Sequence, residues 1–271
     1  MPAFENLQYD PLTLLAVTVL GWLMGSFNTA FCYRVPREIP LGLTSNQRSK
    51  CPACDKVIPW HNNIPIFSYL LLKGKCSQCS AKIPLRYFFI EVSTLIAFVA
   101  TYFIYANSIN RPVGQAEDWA ELVKVLYFSF SLVATVFIDI EFRIIPDRFS
   151  IGNWVIALAA AALWSSPDIT SSLAGCALGF GMFFLMAWGY EKLKGVEGLG
   201  FGDVKMMGWL GAWLGATGVP FTILVASITG LVAGLIAMRA SKEGFKTAIP
   251  FGPFLAIGAY LTWALQSLGL F

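Results

Sequence analysis

The amino-acid sequence predicts an all-α polytopic membrane protein with about eight transmembrane helices and a cysteine-rich cytoplasmic domain inserted after the first helix. Composition is the first observation: of 271 residues, 56% are hydrophobic and only 13% are charged, unlike a soluble globular domain. The second is that apolar runs long enough to cross about 30 Å of hydrocarbon recur along the chain. Backbone amides in lipid must be hydrogen-bonded within their own segment, so these runs are predicted to be helices rather than strands.

The predicted membrane spans follow one another along most of the chain. They cover residues 12–32, 88–106, 120–138, 149–165, 172–190, 204–217, 219–238 and 250–270. The sixth is short and rich in glycine, so seven or nine spans also fit the pattern. Glycines spaced four residues apart would let these helices pack closely, and they are Gly175/Gly179, Gly211/Gly215 and Gly230/Gly234.

The distribution of basic residues predicts the orientation. All but two of the 19 Lys and Arg residues fall on one side of the predicted spans, and the two exceptions are Arg111 and Lys124. Because Lys and Arg accumulate in cytoplasmic loops, both termini are predicted outside and the basic loops, including segment 33–87, inside. Residues 1–11 contain no Lys or Arg, so the first span (within 1–32) is expected to be a retained anchor rather than a cleaved signal.

Two pairs of cysteines stand in the polar, basic segment 33–87. They are Cys51-Pro-Ala-Cys54 and Cys76-Ser-Gln-Cys79. Each CxxC turn presents two thiolates to one ion, and two such turns complete the four soft ligands of a tetrahedral Zn²⁺ site. The 21 residues between the pairs slightly exceed the usual spacing of a zinc ribbon. Two disulfides are the alternative, and they fit poorly with a loop that faces the reducing cytoplasm.

The other reactive residue types exclude several mechanisms. His61 is the sole histidine, which rules out HExxH metalloproteases and any site that needs two imidazoles. Its place in the cysteine-rich loop is more typical of a surface residue than of a catalytic one. Cys32 and Cys176 lie in or beside predicted spans and are interpreted as small apolar core residues. The net charge of +3 arises from the predicted cytoplasmic loops, and the sequence contains no nucleic-acid-binding motif. We therefore expect no nucleic-acid partner.

Two aspartates at the ends of predicted spans are candidates for catalysis. Asp139 ends the third span and Asp203 opens the sixth, so both are expected at the cytoplasmic face. An ionisable residue at membrane depth is costly, on the order of 2.5–3.5 kcal/mol for Asp at a helix centre, and therefore indicates function. Two neighbouring aspartates can share one proton. The ionised partner then activates water and the protonated one polarises a peptide carbonyl, as in aspartic proteases.

Helix capping is the alternative interpretation of these acidic residues. Asp147 follows Pro146 and precedes an apolar run, and we interpret it as an N-cap. Asp203 could cap its helix and still be catalytic, since the glycines before it let backbone approach closely. Asp139 lies at a helix C-terminus, where the macrodipole disfavours a carboxylate. This broken local rule favours a functional role for Asp139.

Short motifs occur in a fixed order through most of the chain. They are Gly25-Ser-Phe27, Tyr33-Arg-Val-Pro36, Cys51-Pro-Ala-Cys54, Asn63-Ile-Pro65, Ser68-Tyr-Leu70, Gly74-Lys-Cys76, Cys79, Arg86-Tyr87, Glu91, Asp139, Ile145-Pro-Asp147, Gly200-Phe-Gly-Asp-Val-Lys205 and Pro250-Phe-Gly-Pro253. Together they resemble the bacterial type IV prepilin peptidases, membrane aspartic proteases of the GxGD kind. In one motif the sequence departs: the family's usual Gly-Ser-Phe-Leu-Asn reads Gly-Ser-Phe-Asn-Thr at residues 25–29.

The resemblance implies an aspartic endopeptidase of the bacterial cytoplasmic (inner) membrane, with its active site on the cytoplasmic side. Such an enzyme removes the short basic leader of type IV prepilins or pseudopilins after a glycine. It then methylates the new N-terminal residue with S-adenosylmethionine. Segment 33–87 would be a zinc-binding, methyltransferase-associated domain, and 88–271 the peptidase domain.

The resemblance also implies roles for individual residues. Asp139 and Asp203 would be the catalytic pair, and Gly74 matches a glycine linked to methyl transfer. The metal ligands would be Cys51, Cys54, Cys76 and Cys79, and the residues supporting the aspartates would be Pro146, Asp147, Gly200, Gly202 and Lys205.

Three other functions remain compatible with the residues. A peptidase without methyl transfer would use the same aspartates. A membrane assembly or docking protein would use the zinc-binding loop for contact and the aspartates as caps. A transporter would use the aspartates for ion coupling, but it would usually place them nearer the bilayer midplane and show inverted repeats.

Overall fold

The structure of the chain is a computed structural model that describes residues 10–41, 49–110, 113–164, 167–196, 198–240 and 249–270. Within these ranges the regular structure is helical, apart from two isolated antiparallel bridges, Lys50 with Val57 and Lys75 with Lys82. The predicted all-α class is therefore confirmed. Residues 1–9 and Arg111, which entered the prediction of orientation, lie outside the described residues.

The described ranges contain eight α-helices. They are α1 Pro11–Arg34, α2 Phe67–Leu71, α3 Leu85–Ile109, α4 Ala116–Phe142, α5 Asp147–Trp164, α6 Ile169–Lys194, α7 Phe201–Ala240 and α8 Gly252–Ser267. Most begin with a recognisable signal. Asp10 caps α1 by accepting the Thr13 N–H at 2.8 Å, and Asp168 caps α6 by accepting the Thr170 N–H at 2.7 Å.

Five helices in the described part of the chain are long and apolar enough to cross a membrane. They span Pro11–Arg37, Leu85–Ile109, Ala116–Phe142, Ile169–Lys194 and Phe201–Arg239. Two further helices, α5 and α8, have 18 and 16 residues and fall outside this set. The protein is thus a helical membrane protein, while the count of eight spans is not confirmed.

The sixth and seventh predicted spans lie together in α7. This helix is interrupted at Gly215, whose φ of 74° and ψ of 175° are not helical, and Pro220 follows within it. Glycine adopts a positive φ without a steric penalty, and proline cannot donate the helical hydrogen bond. The break therefore falls near the C-terminal end of the predicted sixth span, 204–217, close to its junction with the seventh, 219–238.

The chain forms two compact units, Met1–Ala134 and Thr135–Phe271. In the first, α1 packs closely on α3 because Gly25 has no side chain: a Cβ there would lie 3.0 Å from Glu91 Cα. Asn28 is completely buried in the same unit and donates to Thr94 Oγ1 at 3.0 Å. Small and polar residues thus bring the two helices together, as in other membrane proteins.

In the second unit, α7 packs against α5, α6 and α8. Gly175 on α6 and Gly211 on α7 meet backbone to backbone, and a Cβ on either would collide with the other's carbonyl. Trp154 on α5 donates its indole N–H to the Lys205 carbonyl at 2.8 Å. On α8, Thr262 shares a 2.9 Å hydrogen bond with Thr222 of α7. These contacts hold α5, α6 and α8 against α7 within this unit.

Candidate functional site

The two CxxC pairs fold into knuckles of the same design. In the first, the Cys51 N–H donates to the Lys56 carbonyl at 3.0 Å, and the turn closes through Asp55 with a φ of 53°. In the second, the Cys76 N–H donates to the Ala81 carbonyl at 2.9 Å, and Ser80 has a φ of 57°. The repeated geometry turns both pairs of thiols toward one point.

The four sulfur atoms fit a tetrahedral metal site. The Sγ atoms of Cys51, Cys54, Cys76 and Cys79 all lie within 4.8 Å of one another. Zinc–sulfur bonds of about 2.3 Å in a tetrahedron place sulfurs about 3.8 Å apart, and the Cys51 and Cys79 Sγ atoms are separated by 3.8 Å. All six cysteines of the chain are free thiols, so the alternative of two disulfides does not describe this structure.

The environment of Cys76 favours its thiolate. The backbone N–H groups of Gln78 and Cys79 lower the pKa of the Cys76 thiol to about 7, because they donate hydrogen bonds to its sulfur. A thiolate is the form that binds metal. The hydrogen bonds at Cys76 therefore favour the form of this one thiol that binds metal.

Asp139 lies in the last turn of α4 and is almost completely buried, with 5% of its surface exposed. Its Oδ2 accepts the backbone N–H of Gly252, the first residue of α8, at 2.9 Å. α4 ends one turn later, where Arg143 takes a φ of 54° and donates its N–H to the Asp139 carbonyl. The amide at the N-terminus of α8 thus offsets the unfavourable C-terminal end of α4.

Asp203 lies in the first turn of α7, where a carboxylate is favoured by the helix dipole. Its N–H donates to the Gly200 carbonyl at 3.0 Å, and the side chain folds back so that a Cβ on Gly200 would lie 3.5 Å from Oδ2. The Asp203 side chain is half-buried. Asp139 and Asp203 are close enough for their charges to interact.

Two contacts hold the segments that carry these aspartates against each other. Lys205 Nζ binds Asp147 Oδ1 at 2.6 Å. One turn earlier, Gly202 packs on Ile145, and a Cβ there would lie 3.3 Å from the Ile145 Cβ. Pro146 directs the chain into α5, since its carbonyl accepts the Phe149 N–H at 3.0 Å. The start of α7, which carries Asp203, therefore contacts the segment that follows Asp139 in the chain.

Two family models match the chain over separate segments. The one described as "Bacterial Peptidase A24 N-terminal domain" matches residues 19–105. The one described as "Type IV leader peptidase family" matches residues 126–235.

Curated relatives extend the match to nearly the full length. "Prepilin leader peptidase/N-methyltransferase" of Stutzerimonas stutzeri is 32% identical over 98% of this chain and 96% of the relative. The chain belongs to the type IV leader peptidase family. "Type 4 prepilin-like proteins leader peptide-processing enzyme" of Escherichia coli O78:H11 is 32% identical over 96% of this chain and 97% of the relative. The Neisseria gonorrhoeae relative, also "Prepilin leader peptidase/N-methyltransferase", is 31% identical over 93% and 90%. No solved structure matches this leader peptidase.

The other reactive residues of this leader peptidase occupy ordinary structural positions. His61 is exposed in a short 3₁₀ turn, Trp60–Asn62, and its carbonyl accepts the Ser68 hydroxyl at 3.0 Å. Cys32 is buried in α1 and Cys176 is half-buried in α6. Asp147 is the first residue of α5 rather than the residue before it, and its carboxylate pairs with Lys205.

Sequence reasoning missed the role of Gly252 in this leader peptidase. The sequence offered the motif Pro250-Phe-Gly-Pro253 but no link between this motif and Asp139. A Cβ on Gly252 would lie 2.6 Å from Asp139 Oδ2, so the position needs glycine if the amide is to reach the carboxylate. A glycine directly before a helix-starting proline was the available signal.

Proposed function

We propose that this protein is a membrane aspartic endopeptidase that removes the leader of type IV prepilins or pseudopilins and N-methylates the new N-terminus. The observation that carries the proposal is the placement of Asp139, a buried carboxylate at a helix C-terminus, under the Gly252 amide and within electrostatic range of Asp203. The names of the curated relatives agree with this activity.

The two aspartates would have different roles in hydrolysis, one as base and one as acid. We assign the ionised form to Asp139, because its Oδ2 accepts the Gly252 N–H; its Oδ1 would bind the water. Asp203 would then carry the shared proton. Asp139 takes a proton from water as the water oxygen bonds to the carbonyl carbon, and Asp203 gives its proton to the carbonyl oxygen. The C–N bond breaks as Asp139 returns a proton to the leaving nitrogen and Asp203 takes back a hydroxyl proton from the gem-diol, which becomes the carboxylic acid product.

The cytoplasmic side of the inner membrane is the proposed location of this chemistry. The asymmetry of basic residues supports it, with both termini outside and the cysteine loop and both aspartates inside. Eight membrane spans, the three-part division at residues 32 and 87, and Pro146, Gly200 and Lys205 as supporting residues remain part of the proposal. A substrate whose basic leader stays in the cytoplasm would be cut on this face.

Zinc and S-adenosylmethionine are the proposed cofactors. The Cys51, Cys54, Cys76 and Cys79 thiols would hold Zn²⁺, and their separations suit its tetrahedral geometry. The ion would stabilise the loop and take no part in hydrolysis. When bound, S-adenosylmethionine supplies a methyl group to a neutral amine: a C–N bond forms, the C–S bond breaks, and its electron pair stays on sulfur as a thioether. Gly74, which the resemblance links to methyl transfer, packs against Tyr69.

A peptidase without methyl transfer is the second candidate function. The observation that favours it is residue 29, where the family usually has asparagine. Here Thr29 donates its hydroxyl to the Gly25 carbonyl at 3.1 Å, one turn earlier in α1. The neighbouring Asn28 is buried in the contact with α3 and cannot substitute for a side chain at position 29.

Coexpression with a prepilin tests the proposal and separates its candidates. The Asp139→Asn and Asp203→Asn variants should each lose cleavage by about 10²–10⁴-fold or more, since each removes an acid or base from the reaction. Asp168→Asn is the matched control, because asparagine also caps a helix and should leave cleavage unchanged.

The mass of the processed N-terminus shows whether a methyl group was added. Cleavage without that mass increase would select the peptidase-only candidate. Normal cleavage by both the Asp139→Asn and the Asp203→Asn variants would contradict the proteolytic assignment and favour the docking or transport function.

A further inference from the structure

A cavity of about 480 Å³ lies in the first unit, between the second half of α1, the cysteine loop and the start of α3. Cofactor pockets usually have volumes of about 300–1,000 Å³. Several motif residues converge on it from three separate segments, and they include Thr29, Tyr33, Asn63, Tyr69, Tyr87 and Glu91. The sequence indicated no common role for these residues.

Glu91 is the acidic group on the α3 side of this cavity. It is half-buried, and its Oε2 accepts the backbone N–H of Ile66 at 2.6 Å. One carboxylate oxygen is therefore fixed by the protein. The Glu91 carboxylate lines the cavity, where it can attract a cationic group of a ligand, while Lys50, Lys56 and Lys82 line other parts of the same cavity.

The backbone that donates to Glu91 is strained. Ile66 has a φ of 64° and a ψ of −56°, and the Phe67 N–H donates to the Pro65 carbonyl at 2.6 Å across it. This is a γ-turn with positive φ, which is rare for any residue and more so for a β-branched one. Strained backbone of this kind is concentrated at ligand-binding and active sites.

Trp22 of α1 holds the strained turn in place through a hydrogen bond and a ring contact. The Trp22 indole N–H donates to the Pro65 carbonyl at 2.9 Å, and the Trp22 ring packs edge-on against Phe67. Ser68 accepts the Ile64 N–H at 2.9 Å and closes the loop from the other side. The position of the turn relative to Glu91 is thus built into the fold of this unit.

Aromatic rings also line this cavity, and a hydrogen bond holds one of them, Tyr69, in place. Tyr69 donates its hydroxyl to the Ile83 carbonyl at 3.4 Å, and Gly74 lies directly beneath it with a φ of 66°. A Cβ on Gly74 would lie 2.9 Å from the Tyr69 hydroxyl oxygen. Tyr33 and Tyr87 supply two further rings, and Arg34 supplies a guanidinium.

We propose that this cavity binds S-adenosylmethionine, with Glu91 contacting its cationic methionyl end, tyrosine rings packing against its adenine and Arg34 receiving its carboxylate. The ligand joins a flat aromatic base, a sulfonium and ammonium, and one carboxylate, and the lining contains aromatic, acidic and basic side chains that suit these groups. This inference rests on the proposed methyltransferase activity and adds the site to it.

Binding of S-adenosylhomocysteine to the purified full-length protein tests the site directly. Glu91→Gln removes the charge but keeps an oxygen that accepts the Ile66 N–H, so the loop should retain its fold and its zinc. We expect affinity by isothermal titration calorimetry to fall about tenfold or more, as is typical when the charged partner of a cation is neutralised. Ala30→Phe, a neutral change on the α1 wall of the cavity, should abolish binding by filling it. Glu117→Gln, an exposed glutamate of the same unit, is the matched control and should bind as the parent does.

The outcomes distinguish a failure of the proposed binding site from a failure of the proposed methyltransferase activity. A parent protein that binds the ligand and methylates, together with Glu91→Gln and Ala30→Phe variants of unchanged affinity, would overturn the site and leave the methyltransferase proposal intact. A parent that neither binds the ligand nor methylates a cleaved prepilin would overturn both. Weakened binding in both variants, with zinc content equal to that of the parent, would establish the site.

Discussion

Replacing Gly252 by alanine would place a methyl group against the carboxylate of Asp139. The new Cβ would lie 2.6 Å from Oδ2, whereas nonbonded heavy atoms rest at about 3.5 Å. The start of α8 and the aspartate must therefore separate by about half an ångström to one ångström. The present 2.9 Å hydrogen bond from the Gly252 N–H to Oδ2 would then exceed the range of a good hydrogen bond.

This displacement should slow hydrolysis more than it destabilises the protein. A misplacement of about 1 Å in a catalytic group can cost about 10²-fold in rate. Loss of a hydrogen bond to a buried carboxylate costs about 1.5–3 kcal/mol, and Asp139 is buried enough for that full range to apply. We expect Gly252→Ala to reduce the rate of prepilin cleavage by about 10²-fold while the protein still accumulates in membranes.

The assay is the initial rate of leader removal by purified enzyme, with thermal unfolding followed on the same sample. Gly181→Ala is the matched control, because Gly181 lies within α6 and a Cβ there would meet nothing within 4 Å. That change should leave cleavage intact and favour the helix by up to about 1 kcal/mol. Parental cleavage by Gly252→Ala, with an unaltered unfolding temperature, would refute the role assigned to the α8 amide.

Three further predictions concern the metal site, the ion pair and the glycine beneath Tyr69. The double variant Cys51→Ser/Cys54→Ser should contain no zinc when measured by elemental analysis, and it should accumulate poorly, because zinc contributes on the order of 10 kcal/mol to the folding of such sites. Full zinc content would contradict the assignment. Lys205→Met keeps the alkyl chain but removes the cation of a partly solvated ion pair. The free energy of unfolding should therefore change by less than about 1 kcal/mol. Cleavage by Lys205→Met should fall less than in the aspartate variants, and a complete loss would mean that the lysine takes part in the reaction. In the Gly74→Ala variant, the alanine must adopt a φ of 66° beside the Tyr69 hydroxyl, which costs about 1–2 kcal/mol. The methylated fraction of cleaved pilin, measured by mass spectrometry, should therefore fall. An unchanged fraction would show that Gly74 has no role in methyl transfer.

Local patterns predicted the cysteine cluster and most of the long helices of this structure. The CxxC pairs predicted a four-sulfur cluster because each pair fixes its own turn, whatever lies around it. Hydropathy predicted the helical segments, since apolar length alone decides where a helix can cross a membrane. It did not resolve α7, where Gly215 changes the backbone direction without ending the helical run.

Contacts between distant segments could not be predicted in the same way. The amide of Gly252 lies 113 positions from Asp139, and no local rule links a glycine after an aromatic residue to a carboxylate in another helix. Asp147 had the local signature of an N-cap, but the contact with Lys205 decides what its side chain does. The positive φ of Ile66 runs against its β-branched side chain and depends on Glu91, 25 positions away.

The hydrogen bond between α8 and Asp139 also sets an order of events during biosynthesis. A nascent chain that has emerged through α7 already contains both aspartates, yet it still lacks the donor that holds the first of them. The hydrogen-bonded environment of Asp139 is therefore complete only after residue 252 has been synthesised and α8 has packed in place.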